Sequence, residues 1–281
     1  MKSLSRINFN NIKTVGIRVD FNIPVDEHFI ITDNTRLLRA RDTINFVKNQ
    51  NCKILLLSHF GRPKENYDEK FSFQVLIDQF SEVLDVNLNL LTYETFSKNG
   101  LSDFINLNHQ ITLLENIRFF KGEIDNELTF SKLITDQLDL YINEAFSASH
   151  RSHSSVNRMP KNITSVPGFN FEKEVLAIKE IKNSTKKKLA IIGGSKVSTK
   201  INTLLSLTKS CANIFIGGAM ANNFLKFKGI PVGSSLLEEG SEKMIKQIYA
   251  SAQEKECEIH LPLDVVLDNQ DTSTIDKLSS L

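Results

Sequence analysis

The sequence predicts an α/β protein built from two Rossmann-like lobes, in which parallel sheets are covered by helices and a connecting helix joins the lobes. Two observations support this fold class. Short runs rich in Val, Ile and Leu alternate along the 281 residues with segments of helical periodicity. Near-continuous apolar strands are typical of parallel sheets that are buried on both faces. The predicted strands are Val15–Phe21, Lys53–Leu57, Ile111–Leu114, Leu138–Ile142, Lys188–Ile192, Asn213–Ile216 and Glu258–Leu267.

Amphipathic helices are predicted between these strands from the spacing of their apolar residues. In Thr35–Asn49, the residues Leu37, Ala40, Ile44 and Val47 fall on one face. The same kind of spacing predicts further helices at Ser72–Leu84, Ser198–Thr208 and Glu238–Glu254.

A domain boundary is predicted near Pro167–Gly168, where a turn precedes a helix over Glu172–Lys182 and a basic stretch. We therefore assign residues 1–168 to an N-terminal lobe, residues 169–185 to a connecting helix and residues 186–281 to a C-terminal lobe. The C-terminal lobe holds only three of the predicted strands. A doubly wound lobe normally has more, so we expect this lobe to be incomplete.

Composition excludes several classes of protein. The 34 Lys and Arg residues nearly balance the 33 Asp and Glu residues, so no overall positive field would attract nucleic acid. No apolar run approaches the about 18 residues that a membrane span needs, and the start "MKSLSRINFNN" has no apolar signal region. The three cysteines are far apart and suit a reducing compartment. We expect a cytoplasmic protein that binds neither nucleic acid nor membrane.

Charged and polar side chains follow the predicted strands of the first lobe where each strand ends. Ligands of open parallel sheets bind at such ends. The residues are Asp20 and Asn22 after the first strand, His59 and Arg62 after the second, Arg118 after the third, Arg151 after the fourth, and Arg36 at the start of a helix. One such arginine alone is usually a solvated charge or a surface ion pair. Several together repel one another, and a ligand that carries both a phosphate and a carboxylate would explain their gathering.

Two glycine pairs mark the second lobe. "LAIIGGSKVSTK" places Gly193 and Gly194 after a strand and before a helix, followed by Lys196 and Lys200. "ANIFIGGAMANNF" repeats the arrangement with Gly217–Gly218. Glycines at such turns let backbone N–H groups approach phosphate oxygens, although they also allow a helix to pack closely on a sheet. The two instances and the paired lysines favour a nucleotide phosphate site.

Taken together, these motifs resemble the phosphoglycerate kinase family. The motifs "RVDFNIP", "TDNTR", "SHFGRP", "LLENIRF", "NEAFSASHRSHSS", "GGSKVSTKI", "GGAMANNFL" and "LPLDVV" occur in that family's order and approximate spacing, over essentially the whole chain. The resemblance implies a two-lobed, monomeric glycolytic kinase that closes about a hinge. It would transfer a phosphoryl group reversibly between 1,3-bisphosphoglycerate and ADP, which gives 3-phosphoglycerate and ATP with Mg²⁺.

The resemblance also implies roles for individual residues. Arg36 and Lys196 would be catalytic, since both would face the transferred phosphoryl group. The phosphoglycerate site would consist of Asp20, Asn22, Arg36, His59, Arg62, Arg118 and Arg151. The nucleotide site would consist of Gly193, Gly194, Lys196, Lys200, Gly217 and Gly218.

The sequence departs from the family pattern in several places. Glu144 and Ser147 stand where Asp and Gly are usual, and Ser195 and Ala219 replace Ala and Gly. The family's "GxFE" and "GGGDT/S" motifs, which hold the nucleotide and its magnesium, do not occur up to Leu281. We therefore expect no metal ligand in these 281 residues.

Two alternatives follow from these departures and from the histidines. The first is a truncated or non-catalytic relative that binds phosphoglycerate-like anions without turnover. The second is a metal site at His150 and His153, which Arg151 and Arg158 nearby disfavour. A nicotinamide-dependent oxidoreductase is disfavoured because no dinucleotide fingerprint follows the first strand.

Overall fold

The structure is a computed structural model that describes residues 2–64, 66–266 and 272–274. The chain forms two compact units, Met1–Lys179 and Glu180–Leu281, which we call unit 1 and unit 2. The division falls inside a helix over Phe169–Asn183, which overlaps the segment predicted as the connecting helix. Among the described residues, no helix combines the length and the hydropathy that a membrane span requires.

Unit 1 is organised around a six-stranded parallel sheet. Its strands follow the order β3-β4-β2-β1-β5-β6, so β1 and β2 lie at the centre. Their bounds are β1 Thr14–Arg18, β2 Lys53–Leu57, β3 Leu88–Leu91, β4 Ile111–Leu114, β5 Leu140–Asn143 and β6 Ser165–Pro167. The sequence analysis predicted four of these strands with shifted or equal bounds and missed β3 and β6.

Both faces of this sheet are covered, as the apolar strands predicted. In β2, Ile54 and Leu56 belong to one hydrophobic cluster, whereas Leu55 and Leu57 belong to a second one on the opposite face. All four side chains are fully buried. The helices around the sheet are α1 Thr35–Lys48, α2 Ile77–Leu84, α3 Tyr93–Asn99, α4 Ser102–Asn106, α5 Lys121–Ile124, α6 Leu128–Thr135 and α7 Met159–Asn162. The helix that follows β6, α8 Phe169–Asn183, has no buried residue.

The predicted helix Ser72–Leu84 is shorter than expected. A 3-10 turn occupies Phe73–Val75, and α2 begins only at Ile77. The reason is the buried carboxylate of Glu115, which accepts hydrogen bonds from the Ser72 hydroxyl (2.7 Å) and the Phe73 N–H (2.8 Å) and fixes the chain there.

Unit 2 contains a three-stranded parallel sheet in the order β7-β8-β9. A short antiparallel pair, β10 and β11, follows. The bounds are β7 Leu189–Gly193, β8 Asn213–Gly217, β9 Glu258–His260, β10 Asp264–Val266 and β11 Thr272–Thr274. With two parallel sheets and surrounding helices, the predicted fold class is confirmed.

The predicted strand Glu258–Leu267 is wrong as a single element. Its described part divides into β9 and β10, which belong to different sheets, and Leu267 lies outside the described residues. Pro262 stands between the two strands. Proline has no N–H for a sheet ladder and restricts the residue before it, so a continuous strand is disfavoured at this point.

The two faces of the β7–β9 sheet differ in burial. One face packs against α9 Ile201–Thr208, α10 Ala219–Phe227 and α11 Glu242–Glu254 through Leu204, Phe224 and Ile248. On the other face, Leu189 and Ile191 of β7 are 61% and 76% exposed. The helices α9 and α11 begin later than predicted, because Val197–Lys200 forms a turn and Glu238 caps a loop rather than a helix.

Candidate active site

Four neighbouring strands of unit 1 present charged residues at one edge of the sheet. β4, β2, β1 and β5 lie side by side and run parallel, so the segments after them share that edge. The structure brings the predicted residues to this edge: Asp20 and Asn22 after β1, His59 and Arg62 after β2, Arg118 after β4, Arg151 after β5, and Arg36 near the start of α1. Their roles in binding remain predictions.

Asp20 and Arg36 form an ion pair at this edge. Arg36 Nη1 donates to Asp20 Oδ2 (3.0 Å) and to the backbone oxygen of Asn22 (2.8 Å). The Ser147 hydroxyl also donates to Asp20 Oδ2. Among the described residues, the Nη2 and Nε groups of Arg36 donate no hydrogen bond, so the outer part of the guanidinium fork remains available to a ligand.

The loop after β2 is anchored through Gly61. The Gly61 N–H donates to Asn22 Oδ1 (2.8 Å), and its carbonyl accepts from Arg118 Nη1 (2.6 Å). Gly61 has a φ of +60°, and a Cβ atom there would lie 2.3 Å from the Phe71 ring. Only glycine fits this position. The hydrogen bonds therefore link Arg36, Asn22 and Arg118 into one connected array.

His59 is held as a neutral imidazole by a residue that the sequence analysis missed. Arg18 Nη2 lies 3.1 Å from His59 Nδ1. Arginine can only donate, so Nδ1 accepts and the imidazole proton resides on Nε2. Burial, followed by the charges of Arg18, Arg118 and Arg151, lowers the pKa of His59 to about 2. His59 thus offers an N–H donor to a ligand rather than a positive charge.

Arg18 belongs to a buried polar network behind this edge. Its Nε donates to Ser155 Oγ (2.9 Å), and Ser155 Oγ donates to Glu123 Oε1 (2.6 Å). The Ser155 N–H donates to Glu123 Oε2 (2.7 Å). Burial raises the pKa of Glu123, while Arg18 opposes that rise. The signal that could have revealed Arg18 is a charged residue inside the apolar run "VGIRVDF", because buried cations are nearly always paired.

The remaining arginines crowd one another. Burial, then repulsion from Arg151, Arg18 and Arg62, lowers the pKa of Arg118 to about 10. His153 lies in the same field, and burial together with Arg118 and Arg151 lowers its pKa to about 4. Burial is the largest cause of both shifts, and repulsion between the neighbouring positive charges adds to it. A bound anion would relieve this repulsion.

Glu144 and Ser147, which depart from the family pattern, line a neighbouring cavity of about 150 Å³. Asp20, Arg36 and Arg39 also line it. Ser147 bonds to Asp20, as described above. Glu144 caps α8, because its carboxylate accepts from the N–H groups of Asn170 (3.0 Å) and Phe171 (3.2 Å) and from the Thr43 hydroxyl (3.0 Å). Burial raises the pKa of Glu144 to about 7.

Unit 2 brings its two glycine turns together. Gly218 has a φ of +65°, and a Cβ atom there would lie 3.1 Å from the Gly194 oxygen. The Met220 N–H donates to that same oxygen (2.7 Å). Gly193 and Gly217 are cross-strand partners at the ends of β7 and β8. The predicted nucleotide-site glycines therefore form one surface.

The two lysines of unit 2 lie beside this surface on the turn that precedes α9. Lys200 is half-buried and directly precedes α9, and Lys196 is exposed. Neither ammonium group forms a hydrogen bond or ion pair with another described residue of its unit. Both charges are thus free to meet a ligand.

Comparison with known proteins decides the family. Residues 4–280 match the family model for phosphoglycerate kinase. The chain belongs to the phosphoglycerate kinase family.

Individual relatives agree with this assignment. The chain is 41% identical over 273 residues to the phosphoglycerate kinase of Prochlorococcus marinus (strain MIT 9312), with 95% of this chain and 68% of that relative covered. It is 37% identical over 264 residues to the phosphoglycerate kinase of a Wolbachia from Drosophila simulans, with 93% and 66% covered. The chain thus spans about two thirds of the length of these phosphoglycerate kinases.

Solved phosphoglycerate kinases share the fold. The structure from Coxiella burnetii superposes with a TM-score of 0.80 at 31% identity, covering 99% of this chain and 72% of that one. The enzyme from Pyrococcus horikoshii gives a TM-score of 0.79 at 25% identity, with the same coverage. The family named from motifs in the sequence is confirmed.

Proposed function

We propose that this chain carries the activity of its family: reversible phosphoryl transfer between 1,3-bisphosphoglycerate and ADP, which yields 3-phosphoglycerate and ATP in glycolysis. The observation that carries the proposal is the gathering of Arg118 and Arg151 near a neutral His59, with Arg62 close to Arg118, at one sheet edge. Repulsion makes this arrangement unfavourable without a ligand. Phosphoglycerate, with one phosphate and one carboxylate, supplies the missing negative charge.

Unit 1 would bind phosphoglycerate through three kinds of group. The guanidinium groups of the arginines suit its phosphate or carboxylate oxygens. His59 Nε2–H adds a neutral donor, and Asp20 and Asn22 accept from a hydroxyl group. The network behind His59 keeps these groups in position before the ligand arrives, which reduces the entropy lost on binding.

Unit 2 would bind the nucleotide phosphates on its glycine turns. Gly194 and Gly218 have no side chains that would keep phosphate oxygens away from their backbone N–H groups. Lys196 and Lys200 add positive charge. Among the described residues, no three His, Cys, Asp or Glu side chains gather as a metal site would require. We propose that Mg²⁺ binds together with the nucleotide, and we assign no step to a protein-bound ion.

Arg36 and Lys196 would act on the phosphoryl group in transfer. Such transfer proceeds through a transition state whose charge is spread over the phosphoryl oxygens, so positioning and charge neutralisation supply most of the catalysis. Arg36 keeps its outer donors free while Asp20 orients it. The exposed ammonium of Lys196 supplies the second positive charge.

The test combines binding with turnover in the full chain. Titration calorimetry should show saturable binding of 3-phosphoglycerate, and a coupled assay should show ATP formation from 1,3-bisphosphoglycerate and ADP. Binding without turnover would favour the non-catalytic relative instead. Absence of both would contradict the proposed function.

A further inference from the structure

A single carboxylate from a distant part of the chain holds the loop that carries Lys196. Glu238 Oε2 accepts hydrogen bonds from the N–H groups of Val197 (2.6 Å) and Ser198 (3.1 Å). Glu238 Oε1 accepts from the Ser198 hydroxyl. Three hydrogen bonds thus converge on the two residues that directly follow Lys196. Val197 is also fully buried, so packing of its side chain holds the loop in addition to these hydrogen bonds.

Glu238 is itself held by the helix that follows the second glycine turn. Its N–H donates to Asn223 Oδ1 (2.8 Å), and Asn223 is a buried residue of α10. Asn222 Nδ2 donates to the Leu236 oxygen (3.1 Å). Since α10 begins directly after Gly218, Glu238 connects the second glycine turn to the loop after the first one.

The charge of Glu238 is unfavourable for a phosphate site unless it has another use. Hydrogen bonds from Ser198 and Val197, together with the nearby Lys196, lower the pKa of Glu238, so it is ionised at neutral pH. A negative charge beside an anion site repels the anion. The hydrogen bonds that Glu238 accepts from the loop would offset this repulsion, because they hold the loop in place.

We infer that Glu238 is a positioning residue, which fixes the Gly194–Lys200 loop so that Lys196 and the backbone N–H groups meet the nucleotide phosphates. The inference rests on the proposed function and deepens it, since Glu238 need not touch the substrate. Loss of the hydrogen bonds that Glu238 accepts should therefore weaken anion binding, whereas charge repulsion alone predicts that replacing Glu238 would strengthen it.

The neighbouring Glu239 provides a matched control. It is exposed and forms no hydrogen bond or ion pair with the described residues. Replacing either glutamate removes one negative charge from the same stretch of chain. If only the charge mattered, Glu238→Ala and Glu239→Ala would both strengthen the binding of ADP.

The experiment measures the dissociation constant of ADP with Mg²⁺ by titration calorimetry, in the full chain. Glu238→Ala should weaken binding about tenfold, because three hydrogen bonds that order the loop are lost. Glu238→Gln should lie close to the wild type, since its amide oxygen still accepts from Val197 and Ser198. Glu239→Ala should leave affinity unchanged or raise it. Amide exchange at Val197 and Ser198 should accelerate in Glu238→Ala alone.

Several results would overturn the inference. Unchanged or tighter ADP binding by Glu238→Ala would do so, and so would unchanged amide exchange at Val197. If Glu238→Ala does not fold, Ser198→Ala removes one of the same bonds and should weaken binding about threefold; equal affinity would contradict the inference. If the wild type binds no ADP, the proposed nucleotide site is wrong, and the exchange rates alone then decide whether Glu238 orders the loop.

Discussion

The sheet edges of the two units carry positive charge in opposite ways. In unit 1, Arg18 and Arg118 are buried and form hydrogen bonds that link the ends of three strands, β1, β2 and β4. In unit 2, the exposed Lys196 lies in a turn. Hydrogen bonds hold the backbone of this turn in place, but none holds the Lys196 ammonium group among the described residues. One edge positions its charges individually, and the other positions a loop.

This difference follows from the chemistry of the two cations. Guanidinium is planar, weakly hydrated and able to form several directed bonds, so it tolerates burial when partners such as His59 and Ser155 are available. Ammonium is a strongly hydrated point charge that remains in solvent until a ligand reaches it. The arginine edge is therefore suited to selecting one small anion, and the lysine loop to neutralising phosphates.

The difference in burial predicts the largest effect, on folding stability. Leu56 is fully buried in unit 1, so Leu56→Ala should lower the free energy of unfolding by about 2–5 kcal/mol. Ile191 in unit 2 is 76% exposed, and Ile191→Ala should change it by less than about 0.5 kcal/mol. Urea denaturation monitors both variants. Equal losses would show that the uncovered face of β7 is buried in solution.

The next effect concerns catalysis by the lysine loop. In the full chain, Lys196→Ala should lower kcat about a hundred- to a thousandfold and raise the KM for phosphoglycerate much less, because in the proposed mechanism its charge acts mainly in the transition state. Lys187→Ala, at another exposed lysine of unit 2, is the control and should retain normal kinetics. A normal kcat for Lys196→Ala would remove this residue from the mechanism.

Two carboxylates that cap backbone N–H groups should respond oppositely to pH. Burial raises the pKa of Glu144 in unit 1 to about 7, from an ordinary value of 4.5. The folded state then retains a proton that the unfolded state has released, so this group's contribution to stability falls as pH rises from about 4.5 to 7, by an amount on the order of 3 kcal/mol.

The contribution of Glu144 is obtained by measuring the free energy of unfolding of the wild type and of Glu144→Gln at pH 5 and pH 8. The wild type should lose stability relative to the variant at the higher pH. Glu238 in unit 2 has a lowered pKa, so its contribution is present above its ordinary value and disappears as pH falls through the lowered one. Identical pH dependence of wild type and Glu144→Gln would mean that Glu144 is already ionised at pH 5.

The smallest of these effects concerns a single arginine of the proposed phosphoglycerate site. Arg62→Ala should weaken the binding of 3-phosphoglycerate about ten- to a hundredfold without unfolding the protein, since one charge-assisted contact is lost. Lys64→Ala removes an exposed charge two residues away and serves as the control. Unchanged affinity in a folded Arg62→Ala variant would exclude Arg62 from the site.

Local patterns were sufficient to predict the positions of β2 and β4 and the charged residues that follow them, whereas β1 ends at Arg18 rather than at the predicted Phe21. The apolar run before His59, the glycine pair before Lys196 and the glycine pair at the end of β8 are visible within a few residues of sequence. The buried partners were not visible. Ser155 meets Arg18 across 137 positions, and Glu238 meets Val197 across 41. Only tertiary folding brings such residues together, so periodicity and spacing carry no signal for them.

Prediction failed differently at β9 and β10. Pro262 inside "EIHLPLDVVL" argues against one strand, and the hydrophobic run outweighed that signal in the sequence analysis. β3 was missed because Asn89 interrupts the apolar run of Leu88–Leu91. β3 is an edge strand of its sheet, and edge strands tolerate polar residues such as Asn89 that central strands exclude.

Chemical-shift mapping tests most directly whether each sheet edge binds its own substrate. In the full chain, 3-phosphoglycerate should produce its largest saturable shifts at the unit 1 edge, including the Nε2–H resonance of a neutral His59. ADP with Mg²⁺ should produce its largest shifts at Gly193–Lys200 and Gly217–Met220 of unit 2. If 3-phosphoglycerate instead shifted the lysine loop most strongly and left the environment of His59 unchanged, the assignment of the arginine edge as the phosphoglycerate site would be contradicted.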